Sequence, residues 1–186
     1  ALPASISGGG LNLISTQNAS SSATIDFTSG IDSTYKEYLF RFYNIHPATN
    51  NSSFQFQGST DSGSSYGVSI TSSFFQAYHA EDGSATSLSY NANNDLGNST
   101  SFQIIADTTG NGDDESASGF LHLFSPSDTT FVKNFIAIDN HSYNGAYSIN
   151  DFSGGYFNTT SAINAIQFKM SSGNIDSGTI KLYGVS

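Results

Sequence analysis

Four carboxylates stand within nine residues in the run Asp107-Thr108-Thr109-Gly110-Asn111-Gly112-Asp113-Asp114-Glu115. Hard oxygen donors on a glycine-rich turn suit Ca²⁺, whose shell takes about 6 to 8 oxygens. The donors would be Asp107, Asn111, Asp113 and Glu115. Their spacing is not that of an EF-hand loop, and a solvated acidic loop needs no ion, so both readings stand. A second chemistry is offered by aromatics in polar stretches. Tyr78, His79 and Tyr90 fall between Phe75 and Asp95, and Tyr143 and Tyr147 between His141 and Tyr147. Sugar rings stack on aromatic faces while nearby amides and carboxylates satisfy their hydroxyls, which makes these five residues the candidate ligand contacts. The alternative is that the tyrosines cap the ends of a β-sandwich.

Reaction chemistry has little support. His46, His79, His122 and His141 share no metal-binding spacing, and no G-x-S-x-G elbow occurs among the many serines. Ser59-Thr60-Asp61-Ser62-Gly63-Ser64-Ser65-Tyr66 resembles the Asp-box pattern, S-x-D-x-G-x-[ST]-aromatic, of sialidases and of many non-catalytic β proteins. A turn accounts for each position: Asp61 accepts backbone N–H bonds, Gly63 supplies a positive φ, and Tyr66 packs on the sheet. Sialidase chemistry would also need an arginine cluster, and Arg41 is the one arginine present. The expectation is a protein that is not an enzyme and that carries no cofactor beyond the candidate Ca²⁺.

The elements that must position these residues read as β throughout. In Lys36 to Tyr43, Tyr38, Phe40 and Phe42 share one face and Leu39, Arg41 and Tyr43 the other. A hairpin is expected over Phe54 to Tyr66. Further strands are expected at Leu11 to Thr16, Ala23 to Phe27, Ser101 to Ala106, Gly119 to Phe124, Phe131 to Ile138, Ala146 to Ile149, Gly155 to Asn158, Ala162 to Met170 and Gly178 to Tyr183. The last two look like neighbours. A slip in alternation near Ser72-Ser73 suggests a bulge, and Ala80 to Gly97 reads as loop. About eleven short strands with no sustained helical period define an all-β fold, an antiparallel, jelly-roll-like β-sandwich. Ala1 to Gly10, with Pro3 and three successive glycines, reads as an extended N-terminal arm or linker, and residues 11–186 as one sandwich domain.

Composition supports a packed domain. The 186 residues include 15 Phe and 10 Tyr, are 13% aromatic and only 11% charged, and a disordered chain would show the reverse balance. A net charge of −10 with five scattered Lys and Arg excludes a phosphate-binding surface, so no nucleic-acid partner is expected. No apolar run reaches the roughly 20 residues of a membrane helix, so membrane insertion is not expected. Without cysteine, stability must come from packing and assembly.

Several segments together resemble a β-sandwich domain family of virion proteins from marine tailed bacteriophages, tail fibres among them. The residues that carry the resemblance are 31–40 (IDSTYKEYLF), 44–49 (NIHPAT), the Asp61 turn, 121–124 (LHLF), 156–163 (YFNTTSAI) and 178–184 (GTIKLYG). The arm resembles linkers that precede such domains in fibres. The resemblance implies a structural virion protein on the exterior of the particle, with other virion proteins as partners. It further implies a homo-oligomer, with a trimer common in such assemblies, and a tail-fibre or appendage role that contacts host-surface glycans or proteins. The alternative is a capsid decoration protein that cements the head; a glycan-degrading enzyme is a third reading that no residue carries. No catalytic residues come with the family.

Overall fold

The computed structural model describes residues 10–143 and 146–186, so the expected arm lies outside the described residues apart from Gly10. Among the described residues there are twelve strands and no helix: β1 (Leu11–Ser22), β2 (Ile25–Phe27), β3 (Glu37–Pro47), β4 (Ser52–Ser59), β5 (Ile70–Ala80), β6 (Thr86–Tyr90), β7 (Gln103–Thr109), β8 (Ala117–Phe124), β9 (Lys133–Tyr143), β10 (Tyr147–Phe157), β11 (Ala165–Met170) and β12 (Ile175–Val185). All pair antiparallel. They form an eight-stranded sheet, β1-β12-β3-β8-β9-β10-β5-β6, and a four-stranded sheet, β2-β11-β4-β7. The two sheets make a β-sandwich. Strands β8, β9 and β10 form a meander, whereas most other successive strands change sheets.

Period-two alternation places the core. Tyr38, Phe40 and Phe42 point inward and are buried, while Arg41 and Tyr43 face out. Phe168 of β11 is ringed by aromatic side chains from both sheets. It lies 5.3 Å from Phe40 and 5.4 Å from Phe42 of the large sheet, and stacks on Phe54 of the small sheet at 5.6 Å. Edge-on contacts with Phe27 and a tilted contact with Phe56 complete the cluster. Each such pair contributes roughly 0.5–1.5 kcal/mol beyond the area it buries.

Several expectations need correction. The Asp61 turn is not a hairpin, because β4 ends at Ser59 and the next strand, β5, lies in the other sheet. Strands β11 and β12 are not neighbours either; they lie in different sheets. Alternation tells which face of a strand is apolar, but both sheets turn apolar faces to one core, so the pattern does not say which sheet a strand joins. The pieces expected at Ala146 to Ile149 and Gly155 to Asn158 are one strand, β10, whose centre carries inward polar residues that hide its continuity. No bulge interrupts β5, which pairs with β10 in unbroken register from Ile70↔Phe157 to Ala80↔Tyr147. Phe74 faces the core, and Phe75 faces out and stacks on Phe152 at 4.8 Å. The stretch read as loop after Ala80 contains β6, an edge strand on β5.

The Asp61 turn is held by its own side chains. Ser59 Oγ donates to Asp61 Oδ1 at 2.6 Å and accepts from the Asp61 and Gly63 N–H groups at 3.1 and 3.0 Å. Ser65 donates its N–H to Asp61 Oδ1 at 2.9 Å and its hydroxyl to Oδ2 at 2.6 Å. Gly63 has φ +86°, and a Cβ there would lie 2.7 Å from Thr28 Cγ2 and 2.8 Å from the Tyr66 hydroxyl, so only glycine fits. The hydrogen bonds from Ser59 and then Ser65 hold the Asp61 carboxyl at about 2, below its ordinary 3.8.

Two outcomes follow for stability. Phe168→Ala should lower the unfolding free energy by about 3–5 kcal/mol, read from denaturant titration, because a cavity opens where both sheets meet. The depressed Asp61 pKa stabilises the fold above the ordinary value of 3.8, and that stabilisation is lost as pH falls through about 2. Thermal melts across this acid window should therefore show a shallower decline for Asp61→Asn than for the wild type.

Candidate functional site

Strands β5, β9 and β10 lie side by side, and their inward positions change character along their length. At one end the inner face is Phe74, Phe135 and Phe157, all buried. Farther along it becomes Gln76, Asp139 and Asp151, which sit opposite one another in the register Gln76↔Asp151↔Asp139. Beyond these come Tyr78, Tyr143 and Tyr147. Strict alternation, carried past the point where the apolar residues stop, puts all of these side chains on the inside.

The middle layer is a buried ionisable cluster. Asp139, His141 and Asp151 are 2%, 1% and 0% exposed. Nδ1 of His141 donates to Asp139 Oδ2 at 2.9 Å. Asp151 Oδ1 accepts from Gln76 Nε2 at 2.9 Å, and its Oδ2 accepts the Asp107 N–H at 2.7 Å. The backbone that presents that N–H turns at Thr108 (φ 51°) and is tied down by Ser53, whose hydroxyl donates to Asp107 Oδ1 at 2.9 Å. Asp139 Oδ1 and His141 Nε2 make no hydrogen bond. The Asp107 carbonyl is nonetheless near enough to the imidazole to favour its protonation.

Burial dominates the electrostatics. It pushes Asp139 up to about 7, with the His141 hydrogen bond offsetting only part of the cost, and Asp151 up to about 6. Burial disfavours the charged imidazole, but the Asp139 hydrogen bond and the charges of Asp139 and Asp151 outweigh it and raise His141.

Above this layer is a cleft of about 240 Å³ lined by Gln76, Tyr78, Thr108, Tyr143, Tyr147 and Ile149. Tyr78 meets Tyr147 edge-on at 5.8 Å, and Tyr143 lies 6.1 Å from Tyr147. Gln76 belongs to both layers, lining the cleft and bonding Asp151. Aromatic faces beside an amide and a hydroxyl can take a ligand with alternating apolar and hydroxylated faces. No carboxylate or histidine is among the described lining residues, and the two aspartates below are sealed from solvent, so none is placed to shuttle a proton to a ligand there.

Of the candidate ligand contacts, Tyr78, Tyr143 and Tyr147 thus share one cleft, and the other two do not join them. His79 lies on the outer face, its Nδ1 2.7 Å from the Ala80 carbonyl, in a second hollow with Asn140, Ser148 and Asn150 to which Tyr78 also contributes. Tyr90 stands on β6, 58% exposed, hydrogen-bonded to Asp95.

Two of the four candidate Ca²⁺ donors, Asp113 and Glu115, share a cleft, and the other two are engaged elsewhere. Asp107 is engaged by Ser53, and Asn111 bonds the 48–50 segment through its N–H to Asn50 Oδ1 and its amide to the Ala48 carbonyl. Glu115 is buried and folds back on its loop, accepting the Gly112 N–H at 2.7 Å. Asp113 and Glu115 line an acidic cleft with His46, Asp114 and Asp176. Among the described residues, the one group of three acidic or histidine side chains with ligand atoms within 4.8 Å of one another is Asp139, His141 and Asp151.

Sequence reasoning missed that group. The expected strand ended at Ile138, one residue short of Asp139, and 150–154 read as a separator. The available signal was the period itself: Phe135, Ala137, Asp139 and His141 continue one face of β9. No protein-family model matches the chain, and no curated protein matches it.

Proposed function

We propose that this chain is a non-enzymatic recognition domain on the exterior of a phage particle, a tail-fibre or appendage module that binds host-surface glycans. The observation that carries the glycan reading is the convergence of Tyr78, Tyr143 and Tyr147, from three adjacent strands, on a cleft that also offers the Gln76 amide and the Thr108 hydroxyl. Such a cleft suits one sugar ring on tyrosine faces with hydroxyls bonded at its floor. The virion setting rests on the sequence resemblance and on a fold suited to a disulfide-free exterior domain.

A second reading, capsid decoration, is favoured by the outer face of the large sheet. Tyr90, Phe75, Phe152, Ile138 and Phe120 lie opposite one another in register on β6, β5, β10, β9 and β8, and the row continues to Arg41 on β3. Ile136, 47% exposed, and Leu88, 73% exposed, flank it. A continuous apolar row of this kind is what an assembly face requires. It would seat the domain on the shell, or on further copies in a homo-oligomer.

Immobilised host-surface glycans should retain the wild-type protein, and Tyr78→Ala and Tyr143→Ala should each weaken retention by about tenfold or more, a loss of about 1.4 kcal/mol. Tyr90→Ala, on the other face, should retain glycan like the wild type. Unchanged retention in the cleft variants would remove the glycan reading. For decoration, Phe75→Ser combined with Ile136→Ser should lower occupancy on particles, or the oligomer mass seen by light scattering, while leaving the melting temperature near wild type. Full occupancy and an unchanged mass would dismiss the outer face as an assembly surface.

A further inference from the structure

We propose that Asp139, His141 and Asp151 form a structural binding site for a transition-metal dication, Zn²⁺ by the preferences of its donors. Two carboxylates and an imidazole hold ligand atoms within 4.8 Å of one another, on adjacent strands and at paired positions, where Asp139 faces Asp151. All three are sealed from water, Asp139 Oδ1 makes no hydrogen bond, and His141 Nε2 has only the nearby Asp107 carbonyl to face. A buried polar atom without a partner is destabilising, and more so when it is charged.

The charges are compatible with the same answer. Two aspartates in a dry interior repel each other, and the imidazole supplies at most one compensating charge. Among the described residues no lysine or arginine pairs with either; the ion pairs seen all use histidine. A dication at the centre would neutralise both carboxylates and take the place of the proton shared by His141 Nδ1 and Asp139 Oδ2, with Asp139 Oδ1 as the unpartnered oxygen beside it.

The donor set discriminates between ions. Ca²⁺ and Mg²⁺ take all-oxygen shells with several waters, which a sealed site containing an imidazole does not provide. Imidazole with carboxylates suits Zn²⁺, at distances of about 2.0–2.2 Å, and three protein ligands leave one position of its tetrahedron. The outer partners are of the kind that hold metal ligands in place: Gln76 and the Asp107 N–H each bond one oxygen of Asp151.

The ion would clamp β9 to β10 at the level of Asp139 and Asp151. Through Asp151 it would also hold Gln76 and the 107–108 turn, which line the cleft above. The inference stands whether or not that cleft takes a sugar.

The test is the metal content of the full chain, expressed in Zn²⁺-supplemented medium and purified without chelator, by native mass spectrometry and elemental analysis. One tightly held Zn²⁺ per chain is expected. His141→Gln and Asp151→Asn should lose it, while His46→Gln and His79→Gln, on the surface, should keep it. Protein refolded with a chelator present should melt at a lower temperature than protein refolded with Zn²⁺. If a core variant does not fold, X-ray absorption on the wild type decides, since the site predicts a single imidazole among oxygen donors. Folded wild-type protein free of zinc overturns the proposal. Zinc retained by folded His141→Gln, or a shell of two or more imidazoles, overturns it equally.

Discussion

The fold turns on a mismatch in area: eight strands on one side and four on the other must share a single apolar layer. Phe168 makes that layer common to both. Its ring touches Phe40 and Phe42 across the interface and Phe54 and Phe56 beside it, so the sheets are registered by aromatic contact rather than by any covalent tie. Edge-to-face and stacked geometries restrict how far the sheets can slide. The apolar filling does not run the full length of β5, β9 and β10. Where it ends, the inner face turns polar at Asp139, Asp151 and Gln76, then aromatic again at the three cleft tyrosines.

That gradient links the packed core to the cleft. The acidic layer is an unfavourable part of the interior, because burial raises both aspartates and Asp139 Oδ1 makes no hydrogen bond. Natural interiors retain such groups where position matters more than stability, though a buried ionic cluster is weak evidence of stability by itself. Here the cluster lies directly under the cleft and shares Gln76 with it, so whatever neutralises the aspartates also sets the cleft floor.

Fold class was legible because period-two alternation survives in the aromatic strands: Tyr38, Phe40 and Phe42 are inward, and Ile166, Phe168 and Met170 likewise. Sheet membership was not legible, since β11 and β12 present equally apolar faces and the pattern carries no label for the partner. Tyr78, Tyr143 and Tyr147 could be named as aromatics in polar stretches, but their convergence depends on β5 and β9 both flanking β10, a long-range pairing that no local window contains. The Asp139, His141 and Asp151 group was hidden for the opposite reason. A polar residue on a strand normally marks the solvent side, and here three of them occupy the core side.

The two described ends of the chain meet at one corner of the large sheet. Leu11 pairs with Val185, and Gly10 and Ser186 exchange hydrogen bonds. Tension applied across Gly10 and Ser186 would therefore load β1 against β12 in the unzipping direction, opening one pair at a time from Leu11↔Val185 inward rather than shearing all of them together. Mechanically this makes the domain a poor link in a stretched chain and a good pendant, held at a single corner with its cleft free of the load.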